Sequence, residues 1–92
     1  MSTIAIQHQY RMPKEEVLNQ LKRLEKKMST QYQLECKWTS DDCMTFSRSG
    51  ADGQIVIGDG SLSMALSLGM MLSFFKQTIE DEVTQFLQEN IR

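Results

Sequence analysis

The residues with the widest chemical repertoire in this chain are one histidine, His8, and two cysteines, Cys36 and Cys43. A metal site or an acid–base dyad built on His8 needs partners at strand or helix spacing, and none flanks it. The expected role is a strand-end imidazole whose ring is satisfied by a neighbour. The cysteines fall on two successive strands in opposite phase. Cys36 keeps step with Leu34 and Trp38, whereas Cys43 is out of step with Met44 and Phe46, so the thiols should point to opposite faces and stay reduced. No serine or cysteine sits in a nucleophile elbow. Gly58-Asp59-Gly60 is too short for a phosphate loop and leads into a strand instead of a helix. Asp41, Asp42, Asp52 and Asp59 lie in separate turns without calcium-loop spacing and read as turn formers. No catalytic residue, cofactor or metal ligand is therefore expected, and the chain is expected not to be an enzyme.

The elements that carry these residues follow from hydrophobic periodicity. Residues 3–9 alternate and predict a strand. Pro13 suits the first turn of a helix, and Val17, Leu21, Leu24 and Met28 mark an amphipathic helix over 13–28. Glu15 and Glu16 near its start, and Lys26 and Lys27 near its end, complement the helix dipole. Residues 31–38, 43–48, 54–57 and 61–67 predict four strands joined by polar or glycine-bearing turns. A glycine at 50 or 53 is expected to hold a positive φ. A last helix is predicted over 68–89, with Leu68, Leu72, Phe75, Ile79, Val83 and Phe86 as its core stripe.

The expected fold is α+β, in the order β-α-β-β-β-β-α, as a single domain over 1–92. Four consecutive strands form an antiparallel meander with one dry face. The first strand either lies beside the second or closes against the fifth. The second arrangement is favoured; it gives a curved antiparallel sheet with both helices on one face, a reduced helix-grip.

Two features stand out against that frame. Met70 and Phe74 fall off the predicted core stripe, next to Met71, and form a candidate contact patch for a second molecule, with a copy of the same chain as the first candidate. Arg48 keeps the phase of the inward Met44 and Phe46 while Glu82 edges the helix stripe, so the two form a candidate structural ion pair. The basic group Lys22, Arg23, Lys26 and Lys27 reads as a solvated helix face.

The 92 residues carry a net charge of −2, with 40% apolar and 24% charged residues. This excludes intrinsic disorder and argues against a nucleic-acid partner, which calls for a basic excess. No stretch approaches the length of a membrane span, and residues 1–9 lack a secretory signal pattern.

With the elements placed, the sequence resembles the polyhydroxyalkanoic acid system family of small bacterial proteins. The resemblance is carried by Trp38 followed by a turn and Phe46, by Arg48-Ser49-Gly50-Ala51-Asp52-Gly53-Gln54-Ile55, and by Leu68-Gly69 with Leu72 ahead of Ile79-Glu80 and Glu82-Val83. It implies a bacterial cytoplasm and a setting at the surface of polyhydroxyalkanoate granules, and it supplies no catalytic residues. The expected function is a non-enzymatic, granule-associated accessory protein acting by binding or docking, either to the granule or its coat proteins or as a homodimer. The alternative is a small helix-grip carrier of an apolar or acyl ligand, with Trp38, Phe46, Met64 and Phe75 as its pocket.

Overall fold

A computed structural model describes residues 2–92; Met1 lies outside the described residues. The elements are β1 Ser2–Gln9, α1 Lys14–Tyr32, β2 Glu35–Ser40, β3 Cys43–Arg48, β4 Ala51–Gly58, β5 Ser61–Leu68 and α2 Lys76–Asn90, the last preceded by a 3-10 turn, Ser73–Phe75. The five strands form one antiparallel sheet in the order β1-β5-β4-β3-β2. The first strand therefore closes against the fifth, as favoured. All eight residues of β1 pair with β5, from Ser2 opposite Leu68 to Gln9 opposite Ser61. The sheet stays open, with β1 and β2 as its two edges.

Strict alternation sorts the side chains. Leu62, Met64, Leu66 and Leu68 of β5 are buried, while Ser61, Ser63, Ala65 and Ser67 between them are exposed. The same inward face carries Ile4, Ile55, Ile57, Met44 and Phe46. Both helices cover it. α1 contributes Val17, Leu21, Leu24 and Met28, and α2 contributes Ile79, Val83, Phe86 and Leu87. α1 lies over β2 and α2 over β1. The opposite face of the sheet is wet, the ordinary arrangement for an antiparallel sheet.

Curvature is built into β4. Gly53 sits at an inward position between Phe46 of β3 and Leu66 of β5. A Cβ placed there would lie 2.4 Å from the carbonyl oxygen of Ala65 and 2.8 Å from Cα of Leu66. Only glycine permits that approach, and such glycine kinks are how sheets bend. A bulge at the end of β2, between Trp38 and Ser40, adds local twist. Gly50 holds a φ of +88° in the β3–β4 turn, so one of the two expected glycines has the positive φ. Gly53 is needed for space instead.

Four elements differ in their boundaries from the sequence reading, β2 among them: it spans Glu35–Ser40 and not 31–38, because α1 takes up residues 31 and 32. α1 runs on through Tyr32 and stops where Gln33 adopts a left-handed conformation with φ 58°. That places Lys26 and Lys27 before its last turn, and no basic residue lies in that turn. β4 begins at Ala51. The last helix begins only at Lys76: Leu68 completes the alternation of β5, and residues 69–75 form a turn and the 3-10 turn. Leu68 is core through the sheet, not through a helix, and Phe75 is 46% exposed instead of core.

The β1–α1 connection and the last residues are tied to each other and to the sheet by contacts between residues far apart in sequence. The His8 ring nitrogen Nε2 bonds the carbonyl of Ile91, the satisfied strand-end role expected of it. Met12 N–H donates to the carbonyl of Arg92 at 2.9 Å, and Ile91 is fully buried. The Tyr10 hydroxyl donates to the Gly58 carbonyl. Lys14 pairs with Asp42.

Two tests follow from the packing. Gly53→Ala should destabilise by about 1–3 kcal/mol through overpacking, and Gly50→Ala by about 1 kcal/mol or more through its φ; urea unfolding measures both. In the same assay Ile79→Ala should cost about 2–5 kcal/mol. Phe75→Ala should cost less than about 1 kcal/mol, as half-exposed sites do.

Candidate functional site

The chain's unusual chemistry collects at one end of the sheet. β1 descends from Ser2, α1 climbs back, and its last turn arrives beside the β3–β4 turn and the end of β5. Gly69 then docks on the β3–β4 turn: its N–H donates to the Gly50 carbonyl at 2.7 Å. A side chain at Gly69 would press on the Gly50 backbone, with a Cβ 3.3 Å from its carbonyl oxygen. This backbone contact fixes where residues 69–75 leave the sheet. The segment closes on itself through Ser73 N–H to the Gly69 carbonyl at 2.9 Å and Ser73 Oγ–H to the Met70 carbonyl at 2.8 Å.

The segment is an apolar tip. Met70 is 80% exposed, Met71 86% and Phe74 85%. All three lie within five residues, in the turn at 70–72 and the 3-10 turn that follows it, ahead of α2. Beneath the tip lies a cleft of about 120 Å³. Its apolar walls are Leu34, Ala51, Leu68, Leu72, Phe75 and Ile79, and Gln31, Tyr32 and Arg48 form its polar lip.

Tyr32 organises that lip. Its carbonyl, one of the unpaired acceptors at the end of α1, accepts Arg48 Nη1–H at 2.8 Å. Its hydroxyl donates to Glu82 Oε2 at 2.6 Å. Arg48 and Glu82 thus form no direct ion pair; Tyr32 stands between them and bonds each. Burial, and then the hydrogen bond and negative charge of Glu82, push the Tyr32 hydroxyl well above the ordinary tyrosine range. Sequence analysis missed Tyr32 because it alternates in phase with Leu34 and Cys36 and so reads as strand.

The other sequence-derived residues lie apart. Trp38 donates its indole N–H to Glu25 Oε1 at 2.9 Å, under α1. Phe46 and Met64 are closed in the core. Of the four residues named for a carrier pocket, Phe75 alone lines the cleft. Cys36 and Cys43 are free thiols. Cys36 points under α1, where burial, and then the charge of Glu25, raise its thiol to about 11, so it is a weak nucleophile at neutral pH. Cys43 faces the other way, toward Gln54. Among the described residues no group of histidine, cysteine or acidic side chains has the geometry to hold a metal ion, and no helix is long and apolar enough to cross a membrane.

Both parts of this end, the Arg48 turn and the Leu68-Gly69 junction, fall inside a family match. The family model described as "Putative polyhydroxyalkanoic acid system protein" matches residues 4–91. The chain belongs to this family. The match takes in both helices and every strand but for the first two residues of β1, and the family's name connects the chain to polyhydroxyalkanoate systems. Searches of curated proteins and of solved structures return no match.

The Tyr32–Glu82 contact has a pH signature. The folded chain holds the Tyr32 proton more tightly than the unfolded chain does. Its contribution to stability is therefore complete below about pH 10, where an unfolded tyrosine begins to ionise, and is lost as pH rises further. Unfolding free energies measured between pH 8 and pH 11, as a rough working window, should decline above pH 10 with a shallower slope in Tyr32→Phe than in the parent. Equal slopes would remove Tyr32 from this role.

Proposed function

We propose that this chain is a non-enzymatic accessory protein of polyhydroxyalkanoate metabolism that docks on the polyester surface of the storage granule in the bacterial cytoplasm. The observation that carries the reading is the tip. Three large apolar side chains, Met70, Met71 and Phe74, project together into solvent at 80% exposure or more. Isolated surface hydrophobes need no explanation, but a contiguous group on a short, internally bonded segment marks an interaction surface. Burying each on an apolar surface is worth about 1.5–3 kcal/mol. A polyester particle is apolar and has no shaped epitope, and a convex tip of flexible methionines with one phenylalanine suits such a surface. Family membership supplies the setting, and the tip supplies the means.

The test uses amorphous poly(3-hydroxybutyrate) particles and the double variant Met70→Ser with Phe74→Ser. Both side chains are exposed, so the variant should melt within about 4 °C of the parent. The parent should sediment with the particles, and the variant should bind at least about tenfold more weakly, since a tenfold loss needs only about 1.4 kcal/mol. Undiminished particle binding by the variant would overturn the proposal. So would a parent that ignores the particles and instead self-associates through the same two residues, which would make the patch a homodimer contact.

A further inference from the structure

The cleft behind the tip has features that docking on a flat polymer does not use. Its walls are aliphatic and aromatic: Leu68, Leu72, Phe75 and Ile79 converge on it, with Ala51 at its floor. One cation stands at the lip. Arg48 has a single protein partner among the described residues, the Tyr32 carbonyl, reached through Nη1. A guanidinium carries five N–H donors in a fixed fork that matches a carboxylate, so most of Arg48 is left to bind something else. Glu82 accepts the Tyr32 hydroxyl and makes no ion pair with Arg48, so the guanidinium fork is not occupied by that acid.

From these residues we infer that the cleft is a binding site for a short-chain monocarboxylate, its carboxyl group on Arg48 and its alkyl tail against Leu68, Leu72 and Ile79. Size sets the chain length. An apolar cavity of about 150 Å³ holds one benzene, so the 120 Å³ here holds roughly four or five carbons. Pockets for drug-sized or cofactor-sized ligands run to about 300–1,000 Å³, so the cleft is too small to enclose a long fatty acyl chain or a nucleotide-bearing thioester and takes only the carboxyl-terminal few carbons of a longer chain. A lone cation beside greasy walls does not suit inorganic phosphate, which calls for several donors and no apolar contact. A free short acid and the carboxyl end of a short polyester chain present the same chemistry to this site. The inference stands apart from granule docking, since it concerns binding in solution by residues behind the tip.

Titration of the ¹⁵N-labelled protein with sodium butyrate, followed by amide shifts, tests it without granules. Saturable shifts should centre on Arg48, Leu72 and Ile79, and 1-butanol should bind about tenfold more weakly. Arg48→Gln, which removes the charge and keeps a polar amide, should lower butyrate affinity to that of butanol. Arg48→Lys, which keeps the charge, should retain the preference. A purely structural role for Arg48 would leave the butyrate-to-butanol ratio unchanged, and that result would overturn the assignment. So would shifts centred elsewhere, or no saturation by butyrate. A 3-hydroxybutyrate trimer with a free carboxyl end separates the two sources: comparable binding admits the polymer end, and exclusion restricts the site to the free acid. Either follows only if butyrate binds as stated.

Discussion

The pairing of β1 with β5 governs the whole molecule. It joins residues as far apart in sequence as Ser2 and Leu68, and it puts the first strand at the edge of the sheet farthest from the second. The connection from β1 must therefore carry the chain across the end of the sheet to α1, which lies over β2. α1 covers the core there with Val17, Leu21, Leu24 and Met28. It also delivers the last turn of α1, with Tyr32 and its unpaired carbonyl, to the end of the sheet where Arg48 and Leu68 finish their strands.

The same pairing shows why the two helices divide the work. α1 climbs and α2 descends, so the carbonyl end of one and the amide end of the other both face the cleft end of the sheet. α2 then completes the opposite end, where Ile91 is buried and its carbonyl meets His8. The described residues leave no buried side-chain nitrogen or oxygen without a partner. This fits a small domain in which polar groups are confined to the rims and the core is wholly apolar.

Much of this could be read from the residues alone. Alternation located the strands, and the preference for closing β1 on β5 matched the sheet order. The errors share a physical cause. Leu68, Leu72 and Phe75 happen to repeat at helical spacing, yet Leu68 equally continues the alternation of Leu62, Met64 and Leu66. A short apolar run cannot be assigned by period alone. Gly69 was the usable signal, since a glycine directly after an alternating run favours a turn. At the end of α1 no such signal existed: the left-handed position is held by Gln33, where glycine or asparagine is usual. With Tyr32 read as strand, its place between Arg48 and Glu82 is out of reach of the pattern. The exposure of Met70, Met71 and Phe74 was legible as side chains the sheet cannot cover, but their grouping comes from a turn that pattern alone does not draw.

One more consequence lies in where the chain enters and leaves the sheet. Ser2 stands opposite Leu68, at the end that bears the tip, while the Arg92 carbonyl is held by Met12 at the other end. An eight-residue strand separates the two by about 27 Å. A fluorescent protein or affinity handle fused ahead of Ser2 would crowd the methionines and Phe74, whereas one fused after Arg92 would hang from the far side and leave them uncovered. The geometry thus sets the entry and exit of the described chain at opposite ends of the sheet.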